Sequence, residues 1–393
     1  MNCFTGVTDI ALIKSFFRSV LRFLREADML LLILSLISSI FGFILISSIL
    51  SGNEVETGAL NVQLGSIIIG IAFFVLFSYI DIDIIADKSK LLFVFSVLFI
   101  LTLYFWGVGS ETHSRRAWLR FFGIGIQPAE IVKITFIIIT AKIITNYKER
   151  KTLNSFLSLV QLVVVFLMMF ALVLLVSEDI GTSLVYLFIF LIMLFIGGVK
   201  LRWFALGGTA LTAIFPFFWF NFLSERQRVR ILVPFIPELE PDRLDLLWQS
   251  DQSVRAISSG GFFGQGLGNG RLTQAGVIPE QHTDFIFSAA GEELGFVGCI
   301  AILLLLVAII VRCIIIGLKS NNTLGMLVCI GIAAKFIAQT FENIGMSLGL
   351  LPVIGVTLPF FSYGGSSMVT CFAAMGIVSG IKLRQNPSRF RDF

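Results

Sequence analysis

Between Ile278 and Gly295 the chain reads I-P-E-Q-H-T-D-F-I-F-S-A-A-G-E-E-L-G. The stretch holds His282, one of only 2 histidines in the sequence, with Thr283 and Asp284 beside it and Glu292 and Glu293 two turns further on. An uncharged apolar run, Cys299 to Val311, follows at once. A carboxylate at such a boundary meets water on one side and lipid-borne molecules on the other. It could draw the proton from a hydroxyl nucleophile, and a positioned base of this kind is worth about 10²–10⁴-fold in rate. The plainer alternative is a helix-start carboxylate, because T-D ahead of F-I-F-S-A-A-G-E-E is an acceptable helix N-terminus. Asp179, in E-D-I-G-T-S, admits the same alternative.

Further ionisable residues stand inside apolar surroundings, where they are costly and mark function or deliberate pairing. In Q-P-A-E-I-V-K, Glu130 and Lys133 are spaced i, i+3 and share one helix face, so they can pair. Pro128 suits a first helical turn and places the pair near a membrane face. Either this is a self-neutralising pair that fixes helix packing, or it lines a polar cavity with Lys133 turned toward a substrate phosphate. Lys335, Glu342 and Asn343 form a second such set. Arg226, Arg228 and Arg230 occupy alternate positions in S-E-R-Q-R-V-R and supply cations.

The elements that must position these residues are membrane helices. The 393 residues are 56% hydrophobic and 14% charged, against about 25% charged in soluble domains. Mean hydropathy is +0.94. Apolar runs of about 20 residues recur, enough to cross a ~30 Å hydrocarbon core. Spans are predicted at 29–50, 63–81, 91–108, 127–145, 155–176, 184–199, 204–223, 285–316, 323–343 and 363–382. The fold class is therefore an all-α polytopic membrane protein of about ten helices. A basic amphipathic segment (1–28) precedes helices 1–7 (29–223), a long loop (224–284), helices 8–10 (285–382) and a tail (383–393). Within the first segment, Lys14, Arg18 and Arg22 alternate with apolar residues over 12–25, a pattern suited to an anionic leaflet.

Lysine and arginine fix the orientation. With the N-terminus inside, the inner segments are rich in them, while the outer loops at 51–62, 177–183 and 344–362 have none. Only the 109–120 loop breaks the pattern, with Arg115, Arg116 and Arg120. Both termini are then cytoplasmic and the 224–284 loop is extracytoplasmic. Its run S-S-G-G-F-F-G-Q-G-L-G-N-G only superficially resembles a dinucleotide fingerprint, since no strand precedes it. The glycines would instead let backbone N–H groups approach a lipid-linked diphosphate. The 5 cysteines show no pairing or metal spacing. Pro352 and Pro359 bar a continuous helix through 344–362, so this segment is expected to line the site.

Several blocks, in order along nearly the whole membrane part, resemble the SEDS family (shape, elongation, division and sporulation). They are Q-P-A-E-I-V-K, E-D-I-G-T, Q-R-V-R-I, A-I-S-S-G-G, P-E-Q-H-T-D-F-I-F with G-E-E-L-G, and N-I-G-M-S-L-G-L-L-P with L-P-F-F-S-Y-G-G-S-S. The block beginning at Asn343 is more like the elongation branch than the division branch. Ala129 stands where the family usually has serine, Glu178 where it has proline, and Thr357 where proline is common. These departures bear on loop geometry rather than on the charged residues.

The resemblance implies a peptidoglycan glycosyltransferase of the bacterial cytoplasmic membrane that polymerises lipid II at the outer face. Asp284 would be the general base, and Glu130, Lys133, Arg228, Arg230 and His282 would contact substrate. The donor would be a glycan on undecaprenyl pyrophosphate, transferred with inversion. A divalent metal, magnesium or manganese, is compatible with diphosphate departure, and no ligands are assigned to one. Implied partners are membrane lipid and a class B penicillin-binding protein, a transpeptidase; no nucleic acid is expected. A lipid II transporter or a non-enzymatic scaffold are the alternatives. Inverted repeats and midplane charges would mark a transporter, and a scaffold would have no need of Asp284.

Overall fold

The computed structural model describes residues 23, 26–51, 57–110, 113–121, 124–221, 223, 225–240 and 246–385. The amphipathic segment expected over 12–25, apart from Phe23, and the tail beyond 385 lie outside the described residues. Among these described residues, fourteen α-helices and a small sheet follow in the order α1 (Met29–Leu50), α2 (Thr57–Tyr79), α3 (Ile82–Asp87), α4 (Ser89–Trp106), β1 (Val108–Ser110), β2 (His113–Phe121), β3 (Ile124–Ile126), α5 (Pro128–Glu149), α6 (Phe156–Val176) and α7 (Ile180–Gly197). The chain continues through α8 (Leu201–Asn221), α9 (Glu225–Leu232), α10 (Leu246–Ser259), α11 (Arg271–Gln274), α12 (Ile286–Leu318), α13 (Thr323–Ser347) and α14 (Gly365–Leu383).

Each predicted span coincides with a long helix. Among the described residues, 9 of these helices are long and apolar enough to cross a membrane. The tenth, α5, is 22 residues long but carries Glu130, Lys133, Lys142, Lys148 and Glu149. It tolerates that charge because neighbours wrap it: α4, α7 and α13 all pack on it. The protein is thus a polytopic helical membrane protein. Its centre is α13 and α14, each 83% buried over its most apolar window, whereas in α8 that share is 0%. Pro216 interrupts α8 from within. It has no N–H to give to the helix ladder, and lipid cannot replace the lost bond.

Two features were not expected from the sequence. The 107–127 connection is a three-stranded antiparallel sheet in the order β1-β2-β3, with Leu119 opposite Ile126 and Arg120 opposite Gly125. Among its described residues, the long 224–284 connection carries three helices, α9, α10 and α11.

At the end of the bundle remote from Asp284, Asp28 fastens three elements. Its side chain caps α1 by accepting the Leu31 N–H at 2.9 Å. Its other oxygen takes Arg312 of α12 at 2.7 Å and Lys382 of α14 at 3.0 Å. Burial raises the carboxyl pKa, but the Arg312 and Leu31 hydrogen bonds and Lys382 outweigh it and hold it below the ordinary value of 3.8. A depressed folded-state pKa means that ionised Asp28 stabilises the fold at every pH above 3.8. The contribution fades as the pH falls below that value. Asp28→Asn should therefore lower the melting temperature at pH 7, and the gap to wild type should close as the pH falls below 3.8. A gap independent of pH would remove the ion pairs as its cause.

Candidate active site

Asp284 lies in a turn just ahead of α12, on the wall of a cavity of about 420 Å³. Glu280 organises this turn. Its backbone adopts a left-handed φ of 46°, and its carbonyl oxygen accepts the N–H groups of Thr283, Asp284 and Phe285 at 3.2, 3.0 and 3.2 Å. A left-handed backbone is uncommon outside glycine and strains a residue of this size. The turn is pinned from α13 as well: Asn343 donates from Nδ2 to the carbonyl oxygens of Asp284 at 2.8 Å and Val356 at 2.7 Å. The N-I-G-M block thereby ties the non-helical 348–364 segment to the Asp284 turn. That segment does line the cavity, through Val353, Gly355, Val356, Thr357, Tyr363 and Gly364. Asp284 is not the helix cap that the plainer alternative required, because Phe285 holds that position. For Asp179 that alternative is what the structure has: its carboxylate accepts the Thr182 N–H at 2.9 Å and the Thr182 hydroxyl at 2.8 Å.

His282, Glu130 and Arg230 line the same cavity as Asp284. The His282 ring sits 5.5 Å from that of Tyr363, and its carbonyl accepts the Tyr363 N–H at 2.8 Å. Glu130 forms part of the floor and opens onto a buried network. Lys133 donates to Oε1 at 2.5 Å, Gln339 donates to the same oxygen at 3.2 Å, and the Lys335 ammonium stands 3.6 Å from Oε2. Both lysines are fully buried and Glu130 nearly so. Two ammonium groups thus share one carboxylate, so the triad retains a net positive charge beneath the cavity. The expected Glu130–Lys133 pair and Lys335 are parts of one cluster, joined across α5 and α13, whereas Asn343 of the second expected set holds the Asp284 turn instead. Lys133 reaches the cavity only through Glu130.

Arg228 does not join them. Alternate positions would share a face on a strand, but Glu225–Leu232 is a helix. There, residues i and i+2 point in divergent directions. Arg230 turns to the cavity, while Arg228 donates to the carbonyl oxygens of Leu223 at 3.1 Å and Phe220 at 2.8 Å, at the end of α8. Its guanidinium also lies over the Phe220 ring.

Glu292, Glu293 and the glycine run serve docking rather than the cavity. Helix α12 breaks at Gly295, whose φ and ψ are 68° and −162°. The backbone groups released there are taken by the glycine run. Phe296 N–H donates to Gly261 O at 2.9 Å, and Gln265 and Gly266 donate to the carbonyls of Glu292 and Glu293, each at 2.9 Å. The N–H groups of Gly264, Gln265 and Gly266 are therefore committed to protein carbonyls and do not cradle a diphosphate. Glu292 takes the Leu272 and Thr273 N–H groups, both at 2.8 Å, while Glu293 takes the Ser48 hydroxyl at 2.6 Å. At Gly264, which has φ 80°, a Cβ would lie 2.2 Å from the Glu293 carbonyl oxygen. Gly264→Ala should undock this loop, visible as new protease cleavage within 260–270 and a lower melting temperature.

The departures from the resembled pattern have local effects. Glu178 adopts φ 53°, which proline, fixed near −65°, cannot do. The Thr357 hydroxyl lies 3.2 Å from that of Ser367. Among the described residues no group of three or more His, Cys, Asp or Glu side chains could hold a metal ion. These described residues do not fit a protein-ligated metal cage.

A helical membrane bundle with a carboxylate at the mouth of one helix, a buried cation cluster beneath it and a docked loop beside it defines a polytopic membrane protein with a polar cavity. Comparison with known proteins agrees. The sequence model of the FtsW/RodA/SpoVE family, described as cell cycle protein, matches residues 28–386, and the chain belongs to this family. A probable peptidoglycan glycosyltransferase FtsW of Trichlorobacter lovleyi is 34% identical over 371 residues, 92% of this chain and 95% of that protein. The peptidoglycan glycosyltransferase MrdB of Escherichia coli is 31% identical over 356 residues, 91% and 93% of the respective chains. Among solved structures, a chain described under "structural coordination of polymerization and crosslinking by a peptidoglycan synthase complex" superposes with a TM-score of 0.77 at 26% identity. It covers 93% of this chain and 99% of its own. The rod shape determining protein RodA of Thermus thermophilus shares the fold, with a TM-score of 0.67 at 24% identity and the same coverage.

Proposed function

We propose that this chain is a peptidoglycan glycosyltransferase that polymerises lipid II, with Asp284 as the general base. The observation carrying the reading is that Asp284 shares one cavity with Arg230, His282 and the Glu130 opening of a buried net-positive triad. The 4-hydroxyl of the acceptor sugar attacks the anomeric carbon of a glycan held on undecaprenyl pyrophosphate. Asp284 takes the hydroxyl proton as the new C–O bond forms. The bond from the anomeric carbon to the diphosphate oxygen breaks, and the lipid diphosphate leaves with its electron pair. A diphosphate leaving group needs charge stabilisation, not a general acid, and fixed cations in a site of low dielectric provide it. Arg230 supplies this directly, and the Lys133–Glu130–Lys335 triad supplies it from below. Arg228, which faces away from the cavity, acts only by holding the loop to α8. Displacement from one face inverts the anomeric centre, the geometry that inverting glycosidases also use.

In the cell the bundle sits in the bacterial cytoplasmic membrane with both termini in the cytoplasm and the 224–284 segment outside. Both polyprenyl tails then remain in lipid, and confinement of two headgroups to one cavity makes the encounter nearly unimolecular. The N-I-G-M-S-L-G-L-L-P block favours a role in elongation and cell shape over division. The partner is a class B penicillin-binding protein that crosslinks the nascent strands. The test is purified protein with lipid II, resolved on a gel of glycan products. Polymer supports the reading. Lipid II movement across liposomes without polymer would overturn it in favour of a transporter.

A further inference from the structure

The loop that departs from the positive-inside pattern delivers a cation to the cavity. Arg120 is the last arginine of β2, and its side chain lines the same cavity as Asp284 and Arg230. Strand alternation sends Leu119 and Arg120 to opposite faces of the sheet. Leu119 is buried opposite Ile126, while Arg120 is exposed opposite Gly125, which has no side chain to obstruct it. Next along that face, Trp118 lays its ring against Gly125, at 3.2 Å from where a Cβ would stand. Arg120 thus stands on a braced strand and not on a loose loop. Strand β3 then runs straight into Gln127 and α5, whose Gln127 N–H is anchored by the Ser366 hydroxyl at 3.1 Å. The sheet is therefore fixed to the helix that carries Glu130 and Lys133.

Among the described residues the Arg120 guanidinium has no hydrogen-bond or ion-pair partner. The other cations assigned by sequence are engaged: Lys133 with Glu130, and Arg228 with backbone carbonyls. We propose that Arg120 is a further substrate-binding residue, which grips the diphosphate of a polyprenyl-linked sugar from the hairpin side while Arg230 faces it from α9. The chemistry favours arginine here. Its planar fork bonds two phosphate oxygens at once, and its charge persists at any working pH. It also accounts for an arginine-bearing short loop on a face whose other short loops, 51–62, 177–183 and 344–362, carry no lysine or arginine: the charge is held there for an anion. The assignment rests on the polymerase reading for the identity of the substrate, but not for the anion site itself.

The test uses the full-length protein in detergent with Arg120→Ala, Arg120→Lys and Arg120→Glu. The first readout is KM and kcat for lipid II. The second is thermal stabilisation by inorganic pyrophosphate and, separately, by undecaprenyl pyrophosphate. Loss of a charge-assisted contact should raise KM about 10–100-fold in Arg120→Ala with kcat much less affected. Arg120→Lys should recover part of the loss, and Arg120→Glu should be worst. The pyrophosphate response should weaken in the same order, and tighter binding of the lipid form would identify the ligand as membrane-anchored. Melting temperatures without ligand should match wild type, because the side chain is exposed and bonds to none of the described residues.

Wild-type KM and wild-type pyrophosphate response in both Arg120→Ala and Arg120→Glu would overturn the assignment. So would a KM change without any change in that response, since Arg120 would then be touching another part of the headgroup. If the wild type makes no polymer, the polymerase reading fails. The pyrophosphate arm then decides alone: dependence on Arg120 upholds the anion site, and independence overturns it.

Discussion

Asp284→Asn should reduce glycan synthesis from lipid II by about 10²–10⁴-fold, the range that a positioned general base contributes. The substitution keeps the size of the side chain and the whole backbone arrangement of the turn. The Glu280 carbonyl still collects three N–H groups, and Asn343 still holds the Asp284 carbonyl. Folding and lipid II affinity should therefore stay near wild type while kcat falls. A gel assay beside a melting curve separates the two effects. Polymer formed at the wild-type rate by Asp284→Asn would transfer the base role to another residue of the cavity, and the mechanism above would have to be abandoned.

The second large effect is expected at Glu130. Removing the shared carboxylate in Glu130→Ala leaves the ammonium groups of Lys133 and Lys335 in a fully buried site. Breaking a buried pair by deleting one partner costs about 3–5 kcal/mol, because the charge left behind is uncompensated. Glu130→Ala should thus express poorly and melt well below wild type. Adding Lys335→Met to it should restore much of the lost stability, since one of the two stranded charges is gone. If polymerisation stays low in that stabilised double variant, the triad serves the reaction as well as the packing. Activity rising in step with stability would reduce it to a packing device. Lys133→Met offers the complementary observation, with Glu130 still held by Lys335 and Gln339.

Much of this was legible in the sequence because the membrane imposes a coarse rule. Apolar length alone placed every long helix, and the switch from E-Q-H-T-D to an apolar run placed Asp284 at a helix mouth. The i, i+3 spacing of Glu130 and Lys133 sufficed to predict their pairing. What could not be read depends on contacts distant in sequence or on the local backbone period. Nothing near Glu130 announces that Lys335, on another helix, will share it. The alternate spacing of Arg228 and Arg230 does not reveal that α9 is a helix, which sends the two side chains apart. The 107–127 sheet is hidden because β1 and β3 are only 3 residues long and β2 is arginine-rich, with little of the apolar alternation that marks a half-buried strand. Glu292 and Glu293 look like site carboxylates by composition, and only the docked glycine run reveals that backbone and hydroxyl donors have claimed them.

The break at Gly295 also bears on biogenesis. Its exposed peptide groups are satisfied by residues only about 30 positions upstream, so the closure needs nothing from α13 or α14. A nascent chain that has emerged as far as α12 already contains both halves of the junction and can seal it before the last two helices are made. The segment from α10 to α12 would then leave the insertion machinery as a finished corner, against which the later helices assemble.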